Sequence, residues 1–384
     1  MSYHLRGYKI EIYPTEEQKQ LITKHINTYR AVYNNALAIQ LDNYDNGGKY
    51  ISFYKMEHQF SDMRNNDPEY KWLNNISIGV IREALADLHT AFEFFFRNIN
   101  RFPKFKSKKK SKKTFGTRSD RCKSHENYIY ISGIGLVYAK NHNIPIDSKL
   151  YDTRVTFDGH SRYYFTCMAD TEKICEIEDL EYTDNIIGID VGIRNMITTS
   201  DGEVFKYSDK RKYEKRHKRQ QRRMSKYYNR YLEEAARTKT KYEDIPKSKN
   251  MKKKAEKLYQ TVQKLRNKTM NDIHTATKRI VDQMPKAIVI ENLSVAELHK
   301  DKWFAKRNPY PYFYEIRRQL EYKAEDRGIK VIVADKSFPS SQICSNCGTR
   351  HKIYSNKLFI CKKCGLRIDR DLNAALNLRN LALS

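Results

Sequence analysis

Two carboxylates in this chain stand where an apolar run ends: Asp190 closes IIGID and Glu291 closes IVIE. Each reads as the end of a strand buried in a sheet, and Val191-Gly192 leaves room for a ligand to approach the backbone after Asp190. An Asp in such a place can instead cap a turn. Two carboxylates held in one sheet repel strongly unless they share a cation. A third acid would complete a hard-oxygen site for Mg2+ or Mn2+, and IDRDLNAALNL, residues 368–378, offers Asp369 and Asp371. Both could also do no more than complement the dipole of a helix N-terminus. With paired metals, such a triad activates water and stabilises the leaving oxygen of a phosphodiester, its carboxylates acting as ligands.

A second constellation lies just upstream of that third acid. CSNC (Cys344, Cys347) and CKKC (Cys361, Cys364) are separated by thirteen residues. Paired CxxC knuckles, each followed by a glycine (Gly348, Gly365), suit a Zn2+ held by four thiolates. Four ligands leave no open position, so this zinc would fold its module rather than catalyse; a redox dithiol is the competing reading. Cys122, Cys167 and Cys175 are scattered and read as ordinary core or surface residues. His274, His299 and His351 read as surface or helix residues rather than ligands.

The elements that must position these groups follow from periodicity. IIGIDVGIRNMITTSDGEVF reads as a β-hairpin turning at Ser200-Asp201-Gly202, while AIVIEN (287–292) and IKVIVAD (329–335) read as short buried strands flanking a helix over Tyr314–Ala324. Asn373-Ala374-Ala375 opens a helix whose small residues could pack on the sheet edge. Between Lys206 and Lys268, Pro246 and Ser248 break two long basic helices suited to an anionic surface. In the N-terminal half, YKIEIY is a strand, and Thr15 with Gln18 forms a capping box that opens a helix ending before Asn46-Gly47-Gly48. A second helical pattern runs from Ile78 through Phe95 and stops at Phe102-Pro103. Residues 127–169 are β-rich, with Asp158-Gly159 at a turn, and could join the first strand in one barrel-like sheet.

Charge narrows the partners. Lys and Arg total 73 against 46 acidic residues, a net charge of +27 over 384 residues, which calls for a polyanion. Mean hydropathy is −0.82, and no apolar run approaches the roughly 20 residues that span a bilayer, so a membrane partner is not expected. The first residues lack the pattern of a secretory signal, which predicts a cytoplasmic protein. RFPKFKSKKKSKKTF, residues 101–115, interleaves Phe with Lys104, Lys106, Lys108, Lys109 and Lys110, a mixture suited to phosphate contact beside base stacking; a solvated charge run is the plainer alternative.

GIDVGIRN, VIENL, SSQICSNCG and CKKCGLRIDRDLNAALNL, in this order, closely resemble TnpB, the insertion-sequence-encoded nuclease family related to type V CRISPR effectors. YKIEIYPTEEQ, TYRAVYNNAL, ALADLHTAFEFFFR and RFPKFKSKKKSKKTF extend the resemblance over nearly the whole chain. It implies a multidomain α/β architecture: a wedge β-barrel (1–14 and 101–180) holding a helical recognition insert (15–100), then an RNase H-like, RuvC-like nuclease domain (181–338 and 366–384) interrupted by a four-cysteine zinc module (339–365). It further implies an Mg2+-dependent endodeoxyribonuclease that takes a guide RNA from the transposon transcript. Such an enzyme reads a short adjacent DNA motif and cuts double-stranded target DNA. Asp190, Glu291 and Asp371 would be its carboxylates and Cys344, Cys347, Cys361 and Cys364 its zinc ligands. Lys104, Lys106, Lys108, Lys109, Lys110, Arg222 and Arg223 are the candidate nucleic-acid contacts, in a monomer with one RNA associated with a bacterial or archaeal nucleoid. A guided or direct DNA-binding regulator of transposition without useful cleavage is the alternative, against which the intact acid triad argues. A DDE-type transposase is weaker, because the zinc module and the N-terminal half match the guided family.

Overall fold

In the first strand, β1 (His4–Ile12), Tyr8, Ile10 and Ile12 alternate onto one face and join the core, as the period of two requires. The computed structural model describes residues 4–109, 111–171, 181–192, 194–242, 244–292, 311–352 and 357–383; Lys110, Cys175 and His299 lie outside them. The chain divides into two compact units, Met1–Ile174 and Cys175–Ser384.

In the first unit, the Thr15 hydroxyl accepts from the Gln18 amide at 3.3 Å and the Gln18 side chain accepts from the Thr15 amide at 3.0 Å, a reciprocal cap that opens α1 (Glu16–Asp45). Ile22, Ile26, Tyr29, Val32, Tyr33 and Leu37 form its buried stripe. α2 (Phe53–Asn66), not anticipated from sequence, and a 3-10 turn over Pro68–Asn75 lead to α3 (Ile78–Phe96). The strands that follow are β2 (Lys113–Gly116), β3 (Lys123–Ser124), β4 (Tyr128–Ile131), β5 (Gly135–Tyr138), β6 (Leu150–Phe157) and β7 (Tyr163–Thr171). They make a four-stranded antiparallel sheet, β1-β7-β6-β2, and a separate three-stranded one, β3-β4-β5. A bridge between Tyr13 and Tyr138 links the two. The first strand thus does pair with the later group, but through two sheets rather than one. A single core runs from both sheets into the three helices, and Cys122 and Cys167 are buried within it.

The second unit is built on a five-stranded mixed sheet, β10-β9-β8-β11-β12. Its members are β8 (Thr183–Val191), β9 (Ile197–Thr199), β10 (Val204–Phe205), β11 (Pro285–Ile290) and β12 (Lys330–Val333). β8, β9 and β10 form an antiparallel meander, while β11 runs parallel to both β8 and β12. The expected hairpin turn at Ser200-Asp201-Gly202 joins β9 to β10, with Gly202 at φ +85°, and a separate connection over 192–196 joins β8 to β9. Two basic helices, α4 (Arg211–Thr238) and α5 (Lys249–Val281), come next. Ser248 accepts from the Met251 amide at 3.2 Å and caps α5. Contacts of Lys210 with Thr269, Tyr227 with Lys254 and Tyr231 with Ser248 set the two helices antiparallel.

One face of the sheet, through Ile187, Ile189, Ile288 and Ile290, packs on α5 and on α6 (Pro311–Glu325). The opposite face, through Ile186, Val289 and Ile332, packs on α7 (Arg370–Leu381). α7 covers the central strand β8 rather than the sheet edge that its small residues suggested. β13 (Leu358–Ile360) and β14 (Arg367–Asp369) form a two-stranded ribbon beside the cysteines. Among the described residues, no helix is long and apolar enough to cross a membrane.

Candidate active site and cysteine cluster

Alternation along β8 decides what faces α7. Ile187, Ile189 and Val191 belong to the core on the α5 side, so Gly188 and Asp190 point to the other face. Gly188 has no side chain because α7 occupies that space: a Cβ there would lie 2.5 Å from the Arg379 amide nitrogen and would overlap the Ala375 carbonyl oxygen. This close approach brings the start of α7 over the end of β8.

Asp190 sits in that gap with its pKa raised well above the usual carboxylate value, first by burial and then by the charges of Asp371 and Glu291. The three sequence-predicted acids are therefore electrostatic neighbours, contributed by the central strand, by the residue after the adjacent parallel strand, and by the first turn of α7. Burial also raises Glu291, against the pull of a hydrogen bond donated by the Ser340 hydroxyl at 2.9 Å. Asp371 accepts from the Arg370 guanidinium at 3.0 Å and from the Asn195 amide group at 3.4 Å.

The two aspartates of Asp369-Arg370-Asp371 separate cleanly. Asp369 is the N-cap of α7 and its Oδ1 accepts from the amides of Asp371 and Leu372 at 2.9 and 3.2 Å, the ordinary work of a capping aspartate. Its own charge still adds to the field that raises Asp190, as the smallest of the named contributions. The Arg370 guanidinium turns to Asp371. Sequence reasoning missed Asn195 and Ser340, whose partners lie 176 and 49 residues away along the chain.

The donor set matches hard, oxygen-preferring cations such as Mg2+ and Mn2+, and a carboxylate crowded by two others is the group that such a cation relieves. Among the described residues, the one group of three or more metal donors lying within 4.8 Å of one another is the other constellation, Cys344, Cys347, Cys361 and Cys364. Sulfur separations of 3.6 Å for Cys344 to Cys364 and 3.5 Å for Cys347 to Cys361 approach the roughly 3.8 Å expected when four thiolates surround zinc at about 2.3 Å. They are far from a disulfide bond. The two knuckles repeat one geometry: Gly348 and Gly365 have φ of +71° and +77°, and their amides donate to the Cys344 and Cys361 carbonyls at 2.9 and 3.0 Å. Hydrogen bonds from the Thr349 hydroxyl and amide hold the Cys347 thiol down at about 6, which favours the thiolate that zinc binds. His351, read from sequence as a surface or helix residue rather than a ligand, has its Nε2 3.2 Å from the Cys361 sulfur.

The basic candidates divide by burial. Lys104, Lys108 and Lys109 are exposed, as are Arg222 and Arg223 on α4. Lys106 is partly buried: its ammonium lies 3.7 Å from the centre of the Tyr33 ring and 3.8 Å from Asp87, and Asn34 clasps its backbone at 2.8 and 2.9 Å. It anchors the basic run to α1. Beside it, Lys9, Arg30, Lys108, Lys113 and Arg154 line a cavity of about 970 Å³ within the first unit.

Known proteins share this fold and parts of this sequence. The domain family described as "Cas12f1-like, TNB domain" matches residues 313–378, which span α6, β12 and the cysteine cluster and end in α7. The IS605 OrfB "Helix-turn-helix domain" matches residues 1–49, a span that here is strand β1 followed by the single long helix α1. The chain is 26% identical over 376 residues to a Streptomyces pristinaespiralis protein named "Putative RNA-guided DNA endonuclease", covering 97% of this chain and 88% of that one. It is 25% identical to InsQ of Escherichia coli K12, which carries the same description, covering 97% and 91%. These matches make the chain similar to the TnpB-like family. This TnpB-like chain also has a Cas12f-like, mixed α/β multidomain fold, matching the protein of a Cas12f1–sgRNA–target DNA complex with a TM-score of 0.59 over 98% of this chain and 99% of that one, at 13% identity.

Proposed function

We propose that this chain is an RNA-guided DNA endonuclease. It takes a guide RNA from the transcript of its own transposon, recognises a short DNA motif beside the target, and cleaves the target by Mg2+- or Mn2+-dependent phosphodiester hydrolysis. The observation that carries the reading is the placement of Asp371, on α7, and of Glu291, after the neighbouring parallel strand, where the charges of both raise Asp190. The relatives' names supply the substrate class.

In this reading Asp190, Glu291 and Asp371 hold the cations, which supply a Lewis acid and a water of lowered pKa. Asn195 and Arg370 orient the Asp371 carboxylate. The mixed sheet with Asp190 on its central strand supports a RuvC-like domain over 181–338 and 366–384, interrupted at 339–365 by a zinc module whose four cysteines play a folding role. The strands of the first unit support a wedge β-barrel over 1–14 and 101–180, with the helical insert 15–100 as the recognition domain. Lys104, Lys108, Lys109 and Lys110, with Arg222 and Arg223, neutralise RNA and DNA phosphates in this reading, while Lys106 holds their run against α1. The working unit is one chain with one RNA in the bacterial or archaeal cytoplasm, at the nucleoid.

Sequencing the RNA that copurifies with the protein tests this directly. A discrete structured RNA ending in sequence that directs DNA binding is the expected result, with an affinity that falls steeply with salt as released counterions demand. Protein free of structured RNA, binding DNA alike with and without added guide, contradicts the reading.

A further inference from the structure

Two asparagines on α7 are buried, Asn373 at 0% and Asn377 at 4% exposure, and a buried amide is costly unless fully partnered. Their partners all lie in the segment that leads into the first cysteine knuckle. Asn377 donates to the carbonyls of Ser340 and Ile343 at 2.7 and 2.6 Å. Asn373 donates to the Ile343 carbonyl at 2.7 Å and accepts from the Ser345 amide at 3.0 Å. Cys344 lies between those last two residues, so α7 fixes the knuckle from both sides.

Ser340 is the far end of this brace. It is 2% exposed, its carbonyl is taken by Asn377 and its amide by the Phe338 carbonyl at 3.0 Å. The hydroxyl is thereby aimed at Glu291, to whose Oε1 it donates at 2.9 Å. The helix that carries Asp371 therefore also fixes, through Asn377 and Ser340, the orientation of the carboxylate on the neighbouring strand.

We propose that Ser340 is a positioning residue for Glu291 in divalent-cation binding, held in register with Asp371 by Asn377, so that the cysteine module and the carboxylates are joined by a defined polar strut. This rests on the reading of Asp190, Glu291 and Asp371 as a cation site. Groups that orient a metal-binding carboxylate are worth about 10- to 100-fold in metal affinity. Coupling between module and site is then directional, acting on one carboxylate, rather than a general consequence of folding.

The test uses the full chain with its copurified RNA and titrates Mn2+ by loss of the free-ion electron paramagnetic resonance signal. The Asp190→Ala complex supplies the background from RNA. Zinc content and melting midpoint are measured on every sample. Ser340→Ala is expected to lower Mn2+ affinity about 10-fold with zinc and melting unchanged, and Ser340→Thr, which keeps the hydroxyl, to recover most of that loss. Cleavage by Ser340→Ala should recover at high Mn2+, so the defect appears in the cation concentration needed rather than in the maximal rate. Unchanged Mn2+ affinity in Ser340→Ala overturns the proposal, as does loss of zinc or early melting in that variant, or a Ser340→Thr protein as weak as Ser340→Ala. Wild-type protein that binds no more Mn2+ than Asp190→Ala contradicts the cation site itself, a separate failure.

Discussion

Gly188 of β8 lies directly beneath the backbone of Ala375 in α7, with no room between them for a methyl group. Along the helix, Ala375 is one turn, about 6 Å, from Asp371; along the strand, Gly188 is two residues, about 7 Å, from Asp190 on the same face. This close backbone approach is thus a spacer that sets one candidate carboxylate against another. Gly188→Ala must push α7 outward. It is expected to cost about 1–3 kcal/mol, as overpacking does, and to reduce cleavage more than guided DNA binding. Chemical denaturation and paired binding and cutting assays check both parts.

Asp190 is a source of instability in the cation-free protein, since its charge is buried beside two others. The sign follows from linkage: a carboxyl whose folded pKa lies above its unfolded one carries no penalty below the unfolded value of about 4, and costs stability increasingly as pH rises through the folded one. Asp190→Asn should therefore raise the melting midpoint at neutral pH by a few degrees, on the order of 1 kcal/mol, when divalent cations are chelated. Added Mg2+ should raise the wild-type midpoint and leave that of Asp190→Asn nearly unchanged. A wild-type midpoint indifferent to Mg2+ would count against the cation site.

Cys361→Ser removes one of four sulfurs, and zinc should leave with it. Because the Ile343–Ser345 segment is clasped by Asn373 and Asn377, loss of the metal should reach α7 and lower cleavage as well. His351→Ala should keep its zinc but surrender it faster to a chelator, since the contact to the Cys361 sulfur is gone. Metal content by atomic absorption and chelator-release rates read out the two variants. Active wild-type protein with no zinc would overturn the assignment.

Much of this site was legible in the sequence because its signals are local. The strands ending at Asp190 and Glu291 announce themselves by apolar runs bounded by turn residues, and the cysteine knuckles by spacing and glycine. The capping box at Thr15 and the stop at Asn46 bounded α1 because both are written within a few residues. α2 was missed because FYKMEHQFSDMRNN buries only Met56 and Phe60, too thin a stripe to stand out from a polar segment. The β8–β9 connection was missed because IDVGIRNMIT carries no strong turn dipeptide, whereas Asp201-Gly202 does. Asn373 and Asn377 stand on a helix of small residues with no local signal of a partner. Their meaning lies in hydrogen bonds to carbonyls some 30 residues away, which no local pattern encodes. Lys106 belonged to a run of like residues, and only the fold distinguishes the one lodged against Tyr33.

The central claim is that Asp190, Glu291 and Asp371 are the cleaving carboxylates while Asp369 is a helix cap. The most direct measurement pairs guided DNA binding with cleavage in Mg2+, on one target, for the four variants Asp190→Ala, Glu291→Ala, Asp371→Ala and Asp369→Ala. The first three should bind the target nearly as the wild type does and fail to cut it. Asp369→Ala should lose about 1 kcal/mol of stability through the cap and retain appreciable cleavage. Full cleavage by Asp190→Ala, or an inactive Asp369 variant beside an active Asp371 variant, would contradict the account.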